Sequence, residues 1–227
     1  MNGWQVIEGK DTIGLTRIPY PASSIQYPAS FYNEKTNLNF AMPFLETAFQ
    51  GLCIFNPVVI SDNRGYFFES FNNKTFHQQG IREQFVQDNQ SFSSFGVIRG
   101  LHYQLNPFAQ SKLIRVLVGE ILDAVVDIRR GSPTYGKTFS IELSEENKKQ
   151  LYIPKGFAHG FSVLSNTAEV LYKCDNYYHK ESESGIVFND ASLAIDWKIP
   201  AGKSIVSEKD IQLPSFQNCR NNFVFES

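Results

Sequence analysis

Leu113-Ile114-Arg115-Val116-Leu117-Val118-Gly119-Glu120-Ile121-Leu122-Asp123-Ala124-Val125-Val126-Asp127 is two runs rich in Val, Ile and Leu, joined at a glycine. Branched aliphatic side chains suit a pleated surface, and glycine supplies the turn dihedral that other residues resist, so the stretch predicts a β-hairpin. Side chains alternate along a strand. With Leu113, Arg115 and Leu117 on one face, Lys112 shares the other with Ile114, Val116 and Val118.

The same texture extends outward from the hairpin. Short runs of Val, Ile, Phe and Tyr are separated by Gly, Pro, Asn and Asp at intervals of roughly 8 to 12 residues, the spacing of an all-β sandwich or barrel. Strands are expected over 53–60, 66–70, 97–103, 113–118, 121–128, 138–143, 160–164, 169–174 and 185–188. Helix is confined to 73–79, between a capping Asn72 and Gly80, and to a turn at 144–147. A closed barrel leaves one mouth in which alternate polar side chains converge, and function is expected there.

The 227 residues suit one domain with an appendage, and 42% hydrophobic content with 20 Phe and 10 Tyr fits a globular, strand-rich chain. A net charge of -2 gives no general attraction to nucleic acid or anionic lipid, so neither is expected as a partner. Cys53, Cys174 and Cys219 form no C-x-x-C pair, which fits free thiols in a reducing cytoplasm. No apolar stretch approaches the roughly 20 residues of a membrane helix. Residues 1–41, rich in Pro, Ser, Asn and Tyr and carrying Tyr-Pro-Ala-Ser twice, are expected as an N-terminal extension, extended or loosely docked, ahead of a domain over 42–227.

Five stretches carry chemistry: Asp62-Asn63-Arg64-Gly65-Tyr66-Phe67-Phe68-Glu69-Ser70, Phe85-Val86-Gln87-Asp88-Asn89, Arg99-Gly100-Leu101-His102-Tyr103-Gln104, Ile153-Pro154-Lys155-Gly156-Phe157-Ala158-His159-Gly160-Phe161 and Asn176-Tyr177-Tyr178. In this order they closely resemble the dTDP-4-dehydrorhamnose 3,5-epimerases, and the likeness runs from about Phe49 to about Leu213, outside the extension. The resemblance implies an all-β, cupin-type double-stranded jelly-roll barrel with a few short helices. It also implies a homodimer, a dTDP-4-keto-6-deoxy sugar substrate, and inversion at C3 and C5 without metal or cofactor, in dTDP-L-rhamnose biosynthesis.

A carbon beside a ketone loses a proton as an enolate, which needs a base near the C–H and positive charge near the carbonyl oxygen. Imidazole titrates near neutrality, and the resemblance makes His102 the base. Inversion needs a second proton carrier on the opposite face. Tyr172 matches the family's donor, and a nearby cation is expected to lower its pKa. By the same likeness Asp210 orients His102, and Lys112 holds the C4 oxygen.

For the nucleotide, the resemblance assigns Arg64, Arg99 and Lys209 to the diphosphate region. It assigns Glu69, Gln87, Asp88 and Asn89 to base and sugar-nucleotide recognition, some of them across a dimer interface, and Tyr178 to stacking on thymine. Glu183 aligns with a further binding carboxylate, with Glu181 as an alternative. His159 in Pro154-x-Gly156-x-x-His159 matches half of a metal-cupin signature, but His102 is followed by Tyr103 and Gln104 rather than by a second ligand set. His159 is therefore expected to touch a substrate hydroxyl or support His102. The competing readings are a metal-dependent cupin enzyme, a non-catalytic sugar-nucleotide binder, and a single-carbon epimerase or ketoisomerase on a dTDP-sugar.

Overall fold

The computed structural model describes residues 4–9, 12–17 and 43–226. The chain divides into two compact units, Met1–Ala41 and Met42–Ser227. In the first, β1 (Trp4–Gly9) and β2 (Thr12–Arg17) pair as an antiparallel hairpin with Trp4 opposite Arg17. The prolines at 19, 21 and 28 and the repeated Tyr-Pro-Ala-Ser, on which the extended-arm expectation rests, lie outside the described residues.

The second unit runs β3 (Phe44–Glu46), β4 (Cys53–Phe55), β5 (Ile60–Asp62), β6 (Gly65–Phe67), α1 (Asn73–Gln78), β7 (Gln87–Ser94), β8 (Val97–Gln104) and β9 (Lys112–Val118). It continues through β10 (Glu120–Asp127), β11 (Thr138–Ser144), β12 (Gln150–Ile153), β13 (Phe157–Val163), β14 (Thr167–Cys174), β15 (Glu183–Gly185), β16 (Ile205–Val206) and α2 (Glu208–Ile211). Two six-stranded sheets result, one ordered β11-β10-β13-β8-β15 with β16 beside β8, the other β3-β4-β12-β9-β14-β7, and β5 pairs with β6 as a separate antiparallel hairpin. This is the all-β architecture expected of a jelly roll. The glycine-joined strands β9 and β10 do not pair with each other. They pass from one sheet to the other, so the predicted hairpin is a connection between sheets.

The alternation expected along β9 holds. Ile114 and Val116 enter the core between the sheets with Val125, Leu151, Phe161 and Val170, while Leu113 turns outward to Phe76 of α1. Each such buried aliphatic side chain contributes about 1.5–3 kcal/mol. A second apolar layer, Ile98, Leu101, Ala124 and Val126 under Leu193, Trp197 and Phe223, covers the outer face of the β10-containing sheet with the C-terminal segment. The inner layer stops short of the barrel mouth, where polar groups replace it.

Several boundaries differ from expectation for identifiable reasons. The 53–60 run ends at Phe55, ahead of Pro57, whose missing N–H cannot join a ladder. Strand β7 was not anticipated, because its sequence Gln-Asp-Asn-Gln-Ser-Phe-Ser-Ser lacks an apolar face. The helix forms as expected, with Asn72 Oδ1 accepting from Lys74 N at 2.9 Å.

Candidate active site

Arg99 and His102 are three residues apart on β8, an odd offset that regular alternation sends to opposite faces. A bulge brings them to the same one. Between the pairs His159–His102 and Phe161–Arg99, β13 advances two residues while β8 advances three. Gly100 takes the extra step at φ +118°, where a Cβ would sit 2.5 Å from Gly160 Cα and 2.7 Å from the His159 carbonyl. The glycines of Arg-Gly-Leu-His and His-Gly-Phe are thus one close backbone contact that aims both Arg99 and His102 inward.

They face a cavity of about 580 Å³ whose wall includes Ser91, Arg99, His102, Lys112, His159, Tyr172, Lys209 and Asp210. A second hollow of about 350 Å³, walled by Gln87, Asn89, Gln104, Gln110, Tyr178 and Glu183, shares His102, Lys112 and Tyr172 with the first. The proposed base, cation and phenol therefore stand where the two hollows meet.

His102 Nε2 lies 2.8 Å from Asp210 Oδ1, and the other carboxylate oxygen accepts from Gly100 N at 3.1 Å. Ser207 caps α2 by accepting from Asp210 N at 3.1 Å, which fixes the aspartate at the helix start. Burial raises the Asp210 pKa, but the hydrogen bond and charge of His102 and the Gly100 amide outweigh it and hold the carboxyl below its ordinary value. With Nε2–H donating to that carboxylate, Nδ1 is the basic nitrogen of a neutral His102.

Lys112 Nζ lies 5.9 Å from the Tyr172 ring centroid. Burial lowers the Lys112 pKa, opposed by Cys174, Asp123 and Glu183. For Tyr172, burial raises the pKa and Cys174 adds to it, while Arg99 pulls the other way. The expectation of a cation-lowered phenol is thus corrected: desolvation of the phenolate exceeds the attraction of Arg99, and Tyr172 is held in its protonated form. His159 is buried, with Nε2 at 2.9 and 3.1 Å from the two oxygens of Asp123, and burial holds its pKa down despite that partner.

On β7, Gln87 and Asn89 point inward, joined by a 3.0 Å hydrogen bond, and Gln87 Oε1 accepts from Tyr178 N at 3.2 Å. Asp88 between them faces outward to Lys173 Nζ at 3.1 Å, since one strand cannot send three consecutive side chains into one cavity. Glu183 links the mouth, accepting from Lys209 Nζ at 2.6 Å and Tyr178 Oη at 2.9 Å. Burial raises its pKa, but those two donors prevail and lower it. Arg64 stands exposed on the β5–β6 hairpin, held by Asp62 at 2.6 Å, and Glu69 is exposed nearby. Neither lines the cavities of its own chain. His179 is half-buried, stacked on Phe108 with ring centroids 3.7 Å apart.

Two polar residues at or behind the cavity wall were missed in the sequence. Asp123 could have been found as an acid inside an apolar strand, where a charge needs a partner. Ser91, whose buried hydroxyl has no hydrogen-bond partner among the described residues, could have been found from the polar inner face of β7. Among the described residues no group of three or more His, Cys, Asp or Glu is placed to hold a metal ion.

Residues 46–218 match the sequence model of the dTDP-4-dehydrorhamnose 3,5-epimerases. The chain belongs to that family. The dTDP-4-dehydrorhamnose 3,5-epimerase of Shigella flexneri is 51% identical over 176 residues, covering 77% of this chain and 96% of that one. The crystal structure of the Elizabethkingia anophelis dTDP-4-dehydrorhamnose 3,5-epimerase superposes with a TM-score of 0.75 at 51% identity, covering 77% of this chain and 96% of that chain. A Legionella pneumophila dTDP-6-deoxy-D-glucose-3,5-epimerase, solved with dTDP-4-keto-L-rhamnose, gives 0.74 at 48% identity, covering 77% and 93%. In a dTDP-4-dehydrorhamnose 3,5-epimerase the imidazole, ammonium and phenol around one cavity have an evident chemical use.

Proposed function

We propose that the protein inverts C3 and C5 of dTDP-4-dehydro-6-deoxy-D-glucose to give dTDP-4-dehydro-L-rhamnose, in dTDP-L-rhamnose biosynthesis. His102 Nδ1 takes the proton from a carbon beside the C4 ketone, and Asp210 stabilises the imidazolium that forms. The C–H electron pair moves into the enolate, whose oxygen faces the Lys112 ammonium. Tyr172 returns a proton from its phenol to the opposite face. The carrying observation is that His102, Lys112 and Tyr172 line one cavity, with Asp210 behind the histidine.

Gln87, Asn89, Arg99, Tyr178, Glu183 and Lys209 are the residues we assign to the sugar nucleotide within one chain. Arg99 and Lys209 meet the diphosphate, and Tyr178 offers its ring to the base. Arg64 and Glu69 are assigned to a partner subunit's cavity in a homodimer. Support for this comes from the exposed apolar side chains of the hairpin that carries Arg64 and leads to Glu69, namely Ile60, Tyr66 and Phe67. Sedimentation showing monomer alone would remove that assignment. Residues 1–41 are read as an extension outside the epimerase domain, and the three free thiols fit a cytoplasmic setting.

Incubation with the dTDP-4-keto-6-deoxy sugar in heavy water tests the reaction. Deuterium at both C3 and C5 is the expected result, label at one carbon would reduce the activity to a single-carbon epimerase, and no label would end the proposal. Tyr172→Phe should retain exchange while losing inversion.

A further inference from the structure

Gln104 ends β8, two residues beyond His102, and is buried in the wall of the smaller hollow. Its amide is fully engaged. Nε2 donates to the carbonyls of Phe108 at 2.6 Å and Tyr177 at 3.2 Å, and Oε1 accepts from His179 N at 2.7 Å. Only one orientation of the amide makes all three bonds, and it leaves Gln104 no donor to offer a ligand in the hollow it lines.

Two of those three partners flank a single residue. The carbonyl of Tyr177 belongs to the peptide that enters Tyr178, and the amide of His179 belongs to the peptide that leaves it. Peptides are planar, so holding both planes fixes φ and ψ of Tyr178 and with them the direction of its Cα–Cβ bond. Gln87 Oε1 on β7 grips the entering peptide from the other sheet, accepting from Tyr178 N at 3.2 Å. The third bond ties in the segment between β8 and β9, where the Phe108 ring stacks on His179 and Gln110 Nε2 donates to Asn176 O at 2.7 Å. The Tyr178 ring is 56% exposed, so packing does not aim it and its backbone must.

We propose that Gln104 is a positioning residue that aims the Tyr178 ring before the nucleotide arrives, by clamping the peptides on both sides of it to the strand that carries His102. This rests on the reading of Tyr178 as the ring that stacks on the base. A ring already aimed loses less freedom on binding, and affinity rises by that saving. Gln104 acts through Tyr178.

Gln104→Met keeps the length of the side chain and removes all three bonds. Amide hydrogen exchange at His179 in the ligand-free variant should accelerate by about fivefold or more. A stacked base contributes about 5–150-fold in affinity, so the calorimetric Kd for dTDP should rise by at least about fivefold and KM with it, while kcat changes less than about twofold. In a Tyr178→Ala background, where no ring remains to be aimed, adding Gln104→Met should alter Kd by less than about twofold.

Unchanged His179 exchange or unchanged dTDP affinity in folded Gln104→Met overturns the proposal. So does a loss of affinity that persists in full in the Tyr178→Ala background, since Gln104 would then act on the mouth at large. Exchange at His179 in the unsubstituted protein as fast as in an unbonded loop amide overturns it too, and that measurement needs no variant to fold. The stacking reading fails separately, if Tyr178→Ala alone keeps the parental dTDP affinity. His179 exchange is read without ligand, so it reports on the clamp whichever way the stacking test falls.

Discussion

Asp123 and Asp127 lie on the same strand, point to the same side of it and are equally buried, yet they live in opposite conditions. Asp127 accepts from Arg129 N, Nε and Nη2 at 2.9, 2.9 and 2.8 Å, and from the hydroxyls of Ser132 and Thr134 at 2.6 Å each. Asp123 has one imidazole. Burial raises the Asp127 pKa, but the Arg129, Ser132 and Thr134 hydrogen bonds outweigh it and lower the value. A saturated buried carboxylate is scaffold, since nothing remains for a ligand to supply. Asp123 instead holds a single partner, His159, whose ring lines the cavity. Along β10 the last residue, Asp127, thus belongs to the scaffold, while Asp123 at mid-strand stands behind a histidine of the working mouth.

If that division is right, damage at the mouth should cost rate and damage at the closed end should cost stability. The largest effect is expected from His102→Asn. Loss of a positioned general base removes about 10²–10⁴-fold of rate, so solvent exchange at both carbons should fall by that factor while calorimetric dTDP binding and the melting temperature stay close to those of the parent. Near-parental exchange with a collapsed melting temperature would reverse the comparison.

Asp127→Asn is the counterpart. Breaking a buried ion pair leaves Arg129 facing an uncharged partner and costs about 3–5 kcal/mol, to be read from urea unfolding, with kcat unchanged well below the melting temperature. The pH dependence has a definite sign. Because the folded pKa of Asp127 is depressed, its stabilisation is present above the unfolded carboxyl value and is lost as pH falls through the folded one. The acid limb of stability should therefore be shallower in Asp127→Asn. A stable but slow Asp127→Asn would dissolve the scaffold assignment.

The same contrast explains what could be read in the chain before its structure. Strands with an apolar inner face, such as Ile114 and Val116 on β9 or Ile121 and Val125 on β10, were legible because burial writes itself as a period of two. Strand β7 was illegible on that test, for its inner side chains Gln87, Asn89, Ser91 and Ser93 face a ligand cavity or its polar wall instead of the core. His102, Lys112, Tyr172 and Asp210 were legible through family resemblance, and all four do line one cavity. The bulge that lets Arg99 join His102 could not be derived from spacing, because it depends on Gly100 meeting Gly160 across two strands far apart in sequence. The placement of Arg64 and Glu69 is a question about two chains, which one chain's periodicity does not encode.

Asp88 gives the smallest expected effect and the sharpest edge to the comparison. It is an acid flanked in sequence by two cavity residues, and likeness to the family put it among the ligand contacts, but alternation turns it outward to Lys173 with about half of its side chain exposed, 54%. An exposed pair of this kind contributes about 0–1 kcal/mol, since water screens the charges and both side chains lose freedom in holding the contact. Asp88→Ala should therefore leave KM within about twofold of the parent and lower stability by no more than that amount. A rise in KM of tenfold or more that disappears at high protein concentration would instead place the outer face of β7 in a site completed by a second copy. The boundary between mouth and scaffold would then run between subunits as well as along β10.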